Sequence, residues 1–194
     1  MGNIAKPKVL LLGDSIRLSY QPIVTEKLKS VADVVGPSKN CQYSLYTLSS
    51  LKGWLEEFGN VNVIHWNNGL HDVGHNPSRF PVQIPIEMYC ANIEFILKRL
   101  LETRARVIWA TTTPVHLKRP FLNNQWSWKN NEIEQYNSEV LNVMKKYKIH
   151  VNDLHSIVMS DIDRYLCEDQ LHLSESGRNC CAEAVTRIIK SYLK

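Results

Sequence analysis

The stretch Val9-Leu10-Leu11-Leu12-Gly13-Asp14-Ser15 lies near the start of a 194-residue chain. Its four consecutive apolar residues are typical of a strand that is covered on both faces, as in parallel sheets. The three residues that follow them favour a tight turn from the strand into a helix. The stretch therefore predicts the first βα unit of an α/β protein.

Further short apolar runs alternate with longer amphipathic stretches, which is the pattern of βαβ units around a parallel sheet. The predicted strands are residues 9–12, 32–35, 61–66, 106–110 and 149–152. Helices fill the intervals, and the clearest are residues 86–102, 128–147 and 174–193, the last with Ser174 as its N-cap. We expect one α/β domain spanning residues 1–194.

Composition narrows the class of protein. The chain is 44% hydrophobic and 22% charged, and no stretch has the roughly 20 apolar residues of a membrane span. A net charge of +4 without a basic run gives no indication of a nucleic-acid partner. Five cysteines without paired spacing predict neither disulfides nor a zinc site, so a reducing compartment is expected. With no secretory leader in this sequence, we expect a cytoplasmic protein that does not bind membranes.

Two irregular stretches, residues 69–85 and 113–125, follow the third and fourth predicted strands. In an open parallel sheet, ligands bind beyond the carboxyl ends of the strands. We therefore look for chemistry in these loops and in the turn after the first strand.

Ser15 and the pair Asp169 and His172 are the candidate chemical groups. A serine at a strand-to-helix turn has the position of a nucleophile, although the same residues also occur in a simple turn or N-cap. Asp169 and His172 are three residues apart, so the carboxylate can hold the imidazole in the tautomer that accepts a serine proton. Asp-x-x-His alone also occurs as a cap, but the two signals together predict a Ser-His-Asp set.

Gly13-Asp14-Ser15 near the start and Asp169-x-x-His172 near the end resemble the motifs of the SGNH hydrolases, also called GDSL-type esterases. Thr111-Thr112-Thr113-Pro114 and Tyr136-Asn137 resemble that family's middle region, so the resemblance spans nearly the whole chain. It implies a three-layer, flavodoxin-like α/β/α sandwich with a five-stranded parallel sheet. It also implies that Ser15 is the nucleophile, His172 the general base and Asp169 its orienting carboxylate, with no metal or organic cofactor.

The oxyanion hole departs from the family pattern. The resemblance implies donors from the Ser15 N–H, a glycine N–H after the second strand and an asparagine in a Gly-x-Asn-Asp block. Here Gly69-Leu70-His71-Asp72 has His71 in the asparagine's position, and Asn68 is the alternative donor. The loop after the second strand has no late glycine, so the N–H of Asn40 or Cys41 takes that role.

Two rival motifs are weaker. His71 and His75 are spaced like the ligands of a zinc protease, but Gly69, Gly74 and Pro77 break the helix that would be required. Arg17 stands where a nucleophile elbow has its second glycine, so a typical α/β-hydrolase is not predicted.

Asp14, Gly69 and Arg17 are candidate substrate-binding residues, with a structural role as the alternative for Arg17.

Trp126 and Trp128 lie in a segment rich in aromatic and amide side chains. With Trp66 they could form a platform for a sugar ring, or they could simply pack the domain. The expected activity is hydrolysis of a short-chain ester, and the expected substrate is an O-acetyl group on a carbohydrate or small molecule. The alternatives are a thioesterase or lysophospholipase with the same residues, and a catalytically silent member that binds a glycan or protein.

Overall fold

The computed structural model describes residues 5–76, 82–119 and 126–193. Five strands form one parallel sheet in the order β2-β1-β3-β4-β5. They are β1 (Lys8–Leu12), β2 (Asp33–Val35), β3 (Val63–Trp66), β4 (Arg106–Ala110) and β5 (His150–Asn152). This is the strand order of a doubly wound, flavodoxin-like sheet.

Helices cover both faces of the sheet, so the molecule is a three-layer α/β/α sandwich. In the described ranges they are α1 (Ser15–Leu28), α2 (Ser44–Phe58), α3 (Ile86–Glu102), α4 (Asn130–Lys146), α5 (Leu154–Met159), α6 (Ile162–Tyr165) and α7 (Glu175–Tyr192). Helices α1, α5 and α6 pack against α7, and α2 and α4 pack against α3. Among these residues no helix combines the length and the apolar character needed to cross a bilayer.

The predicted elements agree closely with the observed ones. Strand β4 and helix α3 have the predicted bounds, and the other predicted elements end within two residues of the observed ends. Ser174 caps α7, since its hydroxyl accepts the N–H of Gly177 at 3.1 Å. Strands β2 and β5 lie at the edges of the sheet and are partly exposed. Helices α5 and α6 are too short to produce a periodic pattern.

The fold brings the turns after β1, β3 and β4 to one edge of the sheet. Leu12 lies beside Trp66, and Trp66 lies beside Trp109, so the three strands end at nearly the same level. The chain passes from β1 to β2 on one side, while β3 lies on the other side of β1. The carboxyl ends of β1 and β3 therefore form the switch point at which such sheets bind ligands.

Candidate active site

The turn after β1 positions Ser15 as the first residue of α1. The buried carboxylate of Asp14 caps this helix, because its Oδ1 accepts the N–H of Ile16 at 2.9 Å. A Cβ at Gly13 would lie 2.8 Å from the Cβ of Arg17, so only glycine fits there. Asp14 is 1% exposed, which argues against its predicted role as a substrate-binding residue.

Arg17 is also 1% exposed and is a structural residue. Its guanidinium donates to the carbonyl oxygens of Gly13 (3.2 Å), Pro37 (2.9 Å) and Lys39 (3.1 Å) and to Oε1 of Gln21 (2.7 Å). These bonds join the turn after β1 to the loop after β2. The guanidinium has no surface left for a ligand, so the prediction that Arg17 binds substrate is wrong and its structural alternative holds.

The loop before α7 brings His172 to Ser15. Oδ1 of Asp169 accepts the N–H groups of Leu171 (3.1 Å) and His172 (2.9 Å), which closes a tight turn with Gln170 at φ +75°. The second oxygen, Oδ2, lies 2.6 Å from Nδ1 of His172. Nε2 of the same ring lies 3.1 Å from Oγ of Ser15. The three side chains thus form one hydrogen-bonded chain.

The hydrogen bonds between these three residues keep Asp169 ionised. Burial of Asp169 raises its pKa, but the hydrogen bonds from the side chain and backbone of His172 outweigh that effect, and the net pKa is lowered. A carboxylate on Nδ1 leaves Nε2 with a lone pair directed at the hydroxyl of Ser15. The arrangement can therefore take a proton from the serine and stabilise the imidazolium that results.

Two of the predicted oxyanion donors are already occupied. The N–H of Cys41 donates to the carbonyl of Gly13 at 3.1 Å. Asn68 is fully buried, and its amide nitrogen donates to the carbonyl of Gln42 and to Oγ1 of Thr47, both at 3.0 Å. Neither group has a hydrogen left for a substrate, so these two assignments are wrong.

The N–H groups of Ser15 and Asn40 remain available. Ser15 begins α1, so its N–H has no partner within the helix. The N–H of Asn40 donates to no other group in the described ranges. Both belong to segments that Arg17 ties together, which keeps them in a fixed relation.

His71 lies beside Asn40 and is half-buried. Its Nε2 is 3.2 Å from Nδ2 of Asn40, whose Oδ1 accepts the N–H of Gln42 at 2.7 Å. Burial lowers the pKa of His71, the carboxylate of Asp14 raises it, and His172 lowers it, with a lowered pKa as the net result. His71 is therefore a neutral imidazole close to both Asp14 and His172.

Gly69 and Asp72 support the loop after β3 from inside. A Cβ at Gly69 would lie 2.1 Å from Oγ1 of Thr112, so this position requires glycine for packing. Gly69 is buried, which argues against its predicted role in substrate binding. Oδ1 of Asp72 accepts the N–H of Ser44 at the start of α2, while its Oδ2 is buried without a partner. Burial raises the pKa of Asp72 to about 7.

Trp126 and Trp128 lie next to His71. The ring of Trp126 meets the imidazole of His71 edge to face at 6.3 Å and stacks on Trp128 at 5.9 Å. Trp128 is buried and donates to the carbonyl of Leu70 at 2.7 Å. Trp126 is half-exposed, whereas Trp66 is fully buried in the core and is excluded as part of a platform.

His75 joins the loop after β3 to the segment that leads into α4. Its backbone pairs with Ser127 in an antiparallel bridge, and its Nε2 bonds to Glu132. A Cβ at Gly74 would lie 2.8 Å from the ring of Trp126, so a larger residue at this position would clash with the tryptophan. Pro77 and residues 120–125 of the second predicted loop lie outside the described residues.

Sequence reasoning missed the segment that supports the Asp169–His172 loop. Arg119 donates to the carbonyl oxygens of Asp163 (2.8 Å), Leu166 (2.7 Å) and Cys167 (3.3 Å). The N–H of His116 donates to the carbonyl of Gln170 at 2.9 Å. No local pattern marks these residues, because their partners lie about 50 positions further along the chain.

No protein-family model matches the sequence, and no curated protein matches it. Solved structures match closely in shape. A lipase/acylhydrolase from Enterococcus faecalis superposes with a TM-score of 0.79 at 19% identity, over 97% of each chain.

Two acetyl xylan esterases are similar to the same extent. AlAXEase has a TM-score of 0.77 at 17% identity, over 94% of this chain and 99% of its own. A catalytic mutant of an acetylxylan esterase from Geobacillus stearothermophilus has 0.77 at 14% identity, over 97% and 96%. The chain therefore has the α/β/α fold of the SGNH, or GDSL-type, hydrolases.

Proposed function

We propose that this protein is a serine esterase that hydrolyses short-chain acyl esters, with an O-acetyl group on a carbohydrate as the preferred substrate. The observation that carries the proposal is the hydrogen-bonded chain from Ser15 through His172 to Asp169, with links of 3.1 and 2.6 Å. The match in fold to acylhydrolases and acetyl xylan esterases supports the same reaction class.

In the proposed cycle, Nε2 of His172 takes the proton from Ser15 as Oγ attacks the ester carbonyl. The carbonyl oxygen becomes negative and accepts the N–H groups of Ser15 and Asn40. The imidazolium then gives its proton to the departing alcohol, which leaves an acyl-Ser15 ester. Water, deprotonated by the same nitrogen, hydrolyses this ester and releases the acid.

Trp126 supports the choice of a carbohydrate carrier. Its half-exposed ring is held rigidly beside His71 by Trp128 and by close contact with Gly74. An aromatic face beside His71, whose imidazole interacts with that of His172, suits the apolar face of a sugar ring.

The test compares wild type with Ser15→Ala on p-nitrophenyl acetate, butyrate and octanoate, and on an acetylated xylo-oligosaccharide. We expect Ser15→Ala to lower kcat by roughly a thousandfold or more and to fold normally. Ser19→Ala, on the same helix, is the matched control, since in the described ranges the Ser19 hydroxyl bonds only to the carbonyl of Ile16. Trp126→Ala should raise KM for the oligosaccharide and leave KM for p-nitrophenyl acetate nearly unchanged.

Preference for octanoate would redirect the proposal to a lipid or thioester substrate. Turnover that survives in purified Ser15→Ala would show that Ser15 is not the nucleophile. If wild type and variant are equally inert on every ester while binding acetylated oligosaccharide, the protein is a glycan-binding member of this fold.

A further inference from the structure

The environment of His71 determines which of its ring nitrogens carries the proton. Oδ1 of Asn40 accepts the N–H of Gln42 at 2.7 Å, so the carbonyl end of this amide is fixed. The other end, Nδ2, is a donor only, and it lies 3.2 Å from Nε2 of His71. Nε2 must therefore accept, and in the neutral ring the proton lies on Nδ1.

Two neighbours act on the charge of this ring in opposite directions. The carboxylate of Asp14, at the N-cap of α1, favours the imidazolium, and His172, in the loop before α7, disfavours it. Burial adds to the effect of His172, and a proton on Nε2 would also face the amide hydrogens of Asn40. His71 is thus held neutral as the Nδ1–H tautomer.

We propose that Asn40 is a positioning residue that fixes His71 as an Nδ1–H donor to the oxyanion of the ester. Nδ1 is bonded to Cγ, so it stands as far from the backbone as the amide nitrogen of an asparagine. In this tautomer Nδ1 of His71 carries a hydrogen and has no free lone pair, so it can donate to the oxyanion and cannot act as a base. The assignment rests on the esterase activity proposed above.

Asn40→Asp separates this role from a structural one. The aspartate is nearly isosteric and retains the oxygen that accepts the N–H of Gln42. It replaces only the donor that faces Nε2 with an acceptor, so the proton of neutral His71 moves to Nε2. The matched control is Asn62→Asp, because Oδ1 of Asn62 also accepts a backbone N–H, that of Lys8 at 2.8 Å, at the opposite end of the sheet.

The first readout is the tautomer itself, from long-range proton–nitrogen NMR spectra of ¹⁵N-histidine protein. Seven histidines are present, and His71→Asn identifies the signals of His71. We expect Nδ1–H in wild type and in Asn62→Asp, and Nε2–H in Asn40→Asp at a pH where the ring is neutral. An Nε2–H ring in wild type would overturn the assignment, whether or not any ester is hydrolysed.

The second readout is the rate on p-nitrophenyl acetate. Losing one oxyanion donor lowers kcat by on the order of a hundredfold, so Asn40→Asp should show such a loss with little change in KM. The deficit should shrink as the pH falls, because protonation of His71 beside the new carboxylate restores Nδ1–H. In the His71→Asn background, Asn40→Asp should have no further effect on kcat.

A pH-independent loss in Asn40→Asp would assign Asn40 a structural role only. The same conclusion would follow if adding Asn40→Asp to His71→Asn lowered kcat by the same further factor as it does in wild type. If wild type turns over no ester, the proposed function fails, and the NMR spectra still decide whether Asn40 fixes the tautomer. If Asn40→Asp does not fold, Asn40→Ser retains a short acceptor for Gln42 and should release His71 to a mixture of tautomers.

Discussion

Two arginines hold the two halves of the candidate site by the same kind of contact in different surroundings. Arg17 is 1% exposed and binds three backbone carbonyl oxygens around the serine turn. The side chain of Arg119 is 17% exposed and binds three carbonyl oxygens ahead of the Asp169–His172 loop. Arg119 also has two exposed acidic neighbours, Asp163 at 3.8 Å and Glu168 at 3.7 Å.

The difference lies in what each carbonyl group would do without its arginine. The bonds of Arg17 to the carbonyls of Gly13 and Pro37 are buried. The carbonyl of Gly13 also accepts the N–H of Cys41, whereas in the described ranges that of Pro37 has no second donor and would remain buried and unpaired. Around Arg119 solvent is close, and water can hydrate the freed carbonyls. Arg17 should therefore contribute chiefly to the free energy of unfolding, and Arg119 chiefly to the geometry of His172.

Of the substitutions that test this difference, Arg17→Met should have the largest effect on the free energy of unfolding. An unpaired buried carbonyl costs about 1–3 kcal/mol, and the bonds to Gly13, Lys39 and Gln21 are lost with it, so we expect the free energy of unfolding to fall by about 2 kcal/mol or more. Urea unfolding measures it, with Arg99→Met as control because the side chain of Arg99 is 66% exposed and, among the residues that the structure describes, pairs only with Glu102. Equal losses in the two variants would contradict the distinction between buried and hydrated contacts.

Arg119→Met should have the opposite profile. We expect kcat on p-nitrophenyl acetate to fall about tenfold, because His172 no longer remains within 3.1 Å of Ser15, and the stability to change by under about 1.5 kcal/mol. Arg119→Lys should recover part of kcat, since one donor returns. A large loss of stability with kcat intact would show that Arg119 has the same role as Arg17.

The two halves also show how far the sequence alone can lead. Ser15, Asp169 and His172 meet as predicted because local rules position each of them: a buried strand ending in a turn, and a carboxylate three residues from an imidazole. The strands that bring the ends of the chain together were predicted from their apolar runs. These features need no knowledge of distant contacts.

The errors have a common physical cause. Asn68 and Cys41 are suitable donors by residue type, but Thr47, Gln42 and Gly13 have already taken their hydrogens. Whether a polar group is free depends on tertiary contacts that no local pattern encodes. The bond between Asn40 and Gln42 is an exception, since an asparagine that accepts the N–H two residues on is a frequent turn motif.

Asp72 extends the comparison to a buried group that can give up its charge. The donors of Arg17 are bonded to several acceptors, whereas in the described ranges Oδ2 of Asp72 has no partner, and burial raises the pKa of this carboxyl to about 7. The folded protein then keeps a proton that the unfolded chain releases near its ordinary pKa of 3.8. Wild-type stability should therefore fall as the pH rises between these two values.

Asp72→Asn removes this titration and leaves an oxygen to accept the N–H of Ser44. From about pH 5 to about pH 6, the free energy of unfolding of wild type should fall by about 1 kcal/mol more than that of the variant. Urea unfolding across this range measures the difference. The neighbouring substitution Asn67→Asp is not a suitable control, because it would remove the bond that Asn67 donates to the carbonyl of Ala110. Parallel pH profiles for wild type and Asp72→Asn would mean that Asp72 is ionised in the folded protein. In that case the fold tolerates a charged carboxylate whose Oδ2 is buried without a hydrogen-bond partner.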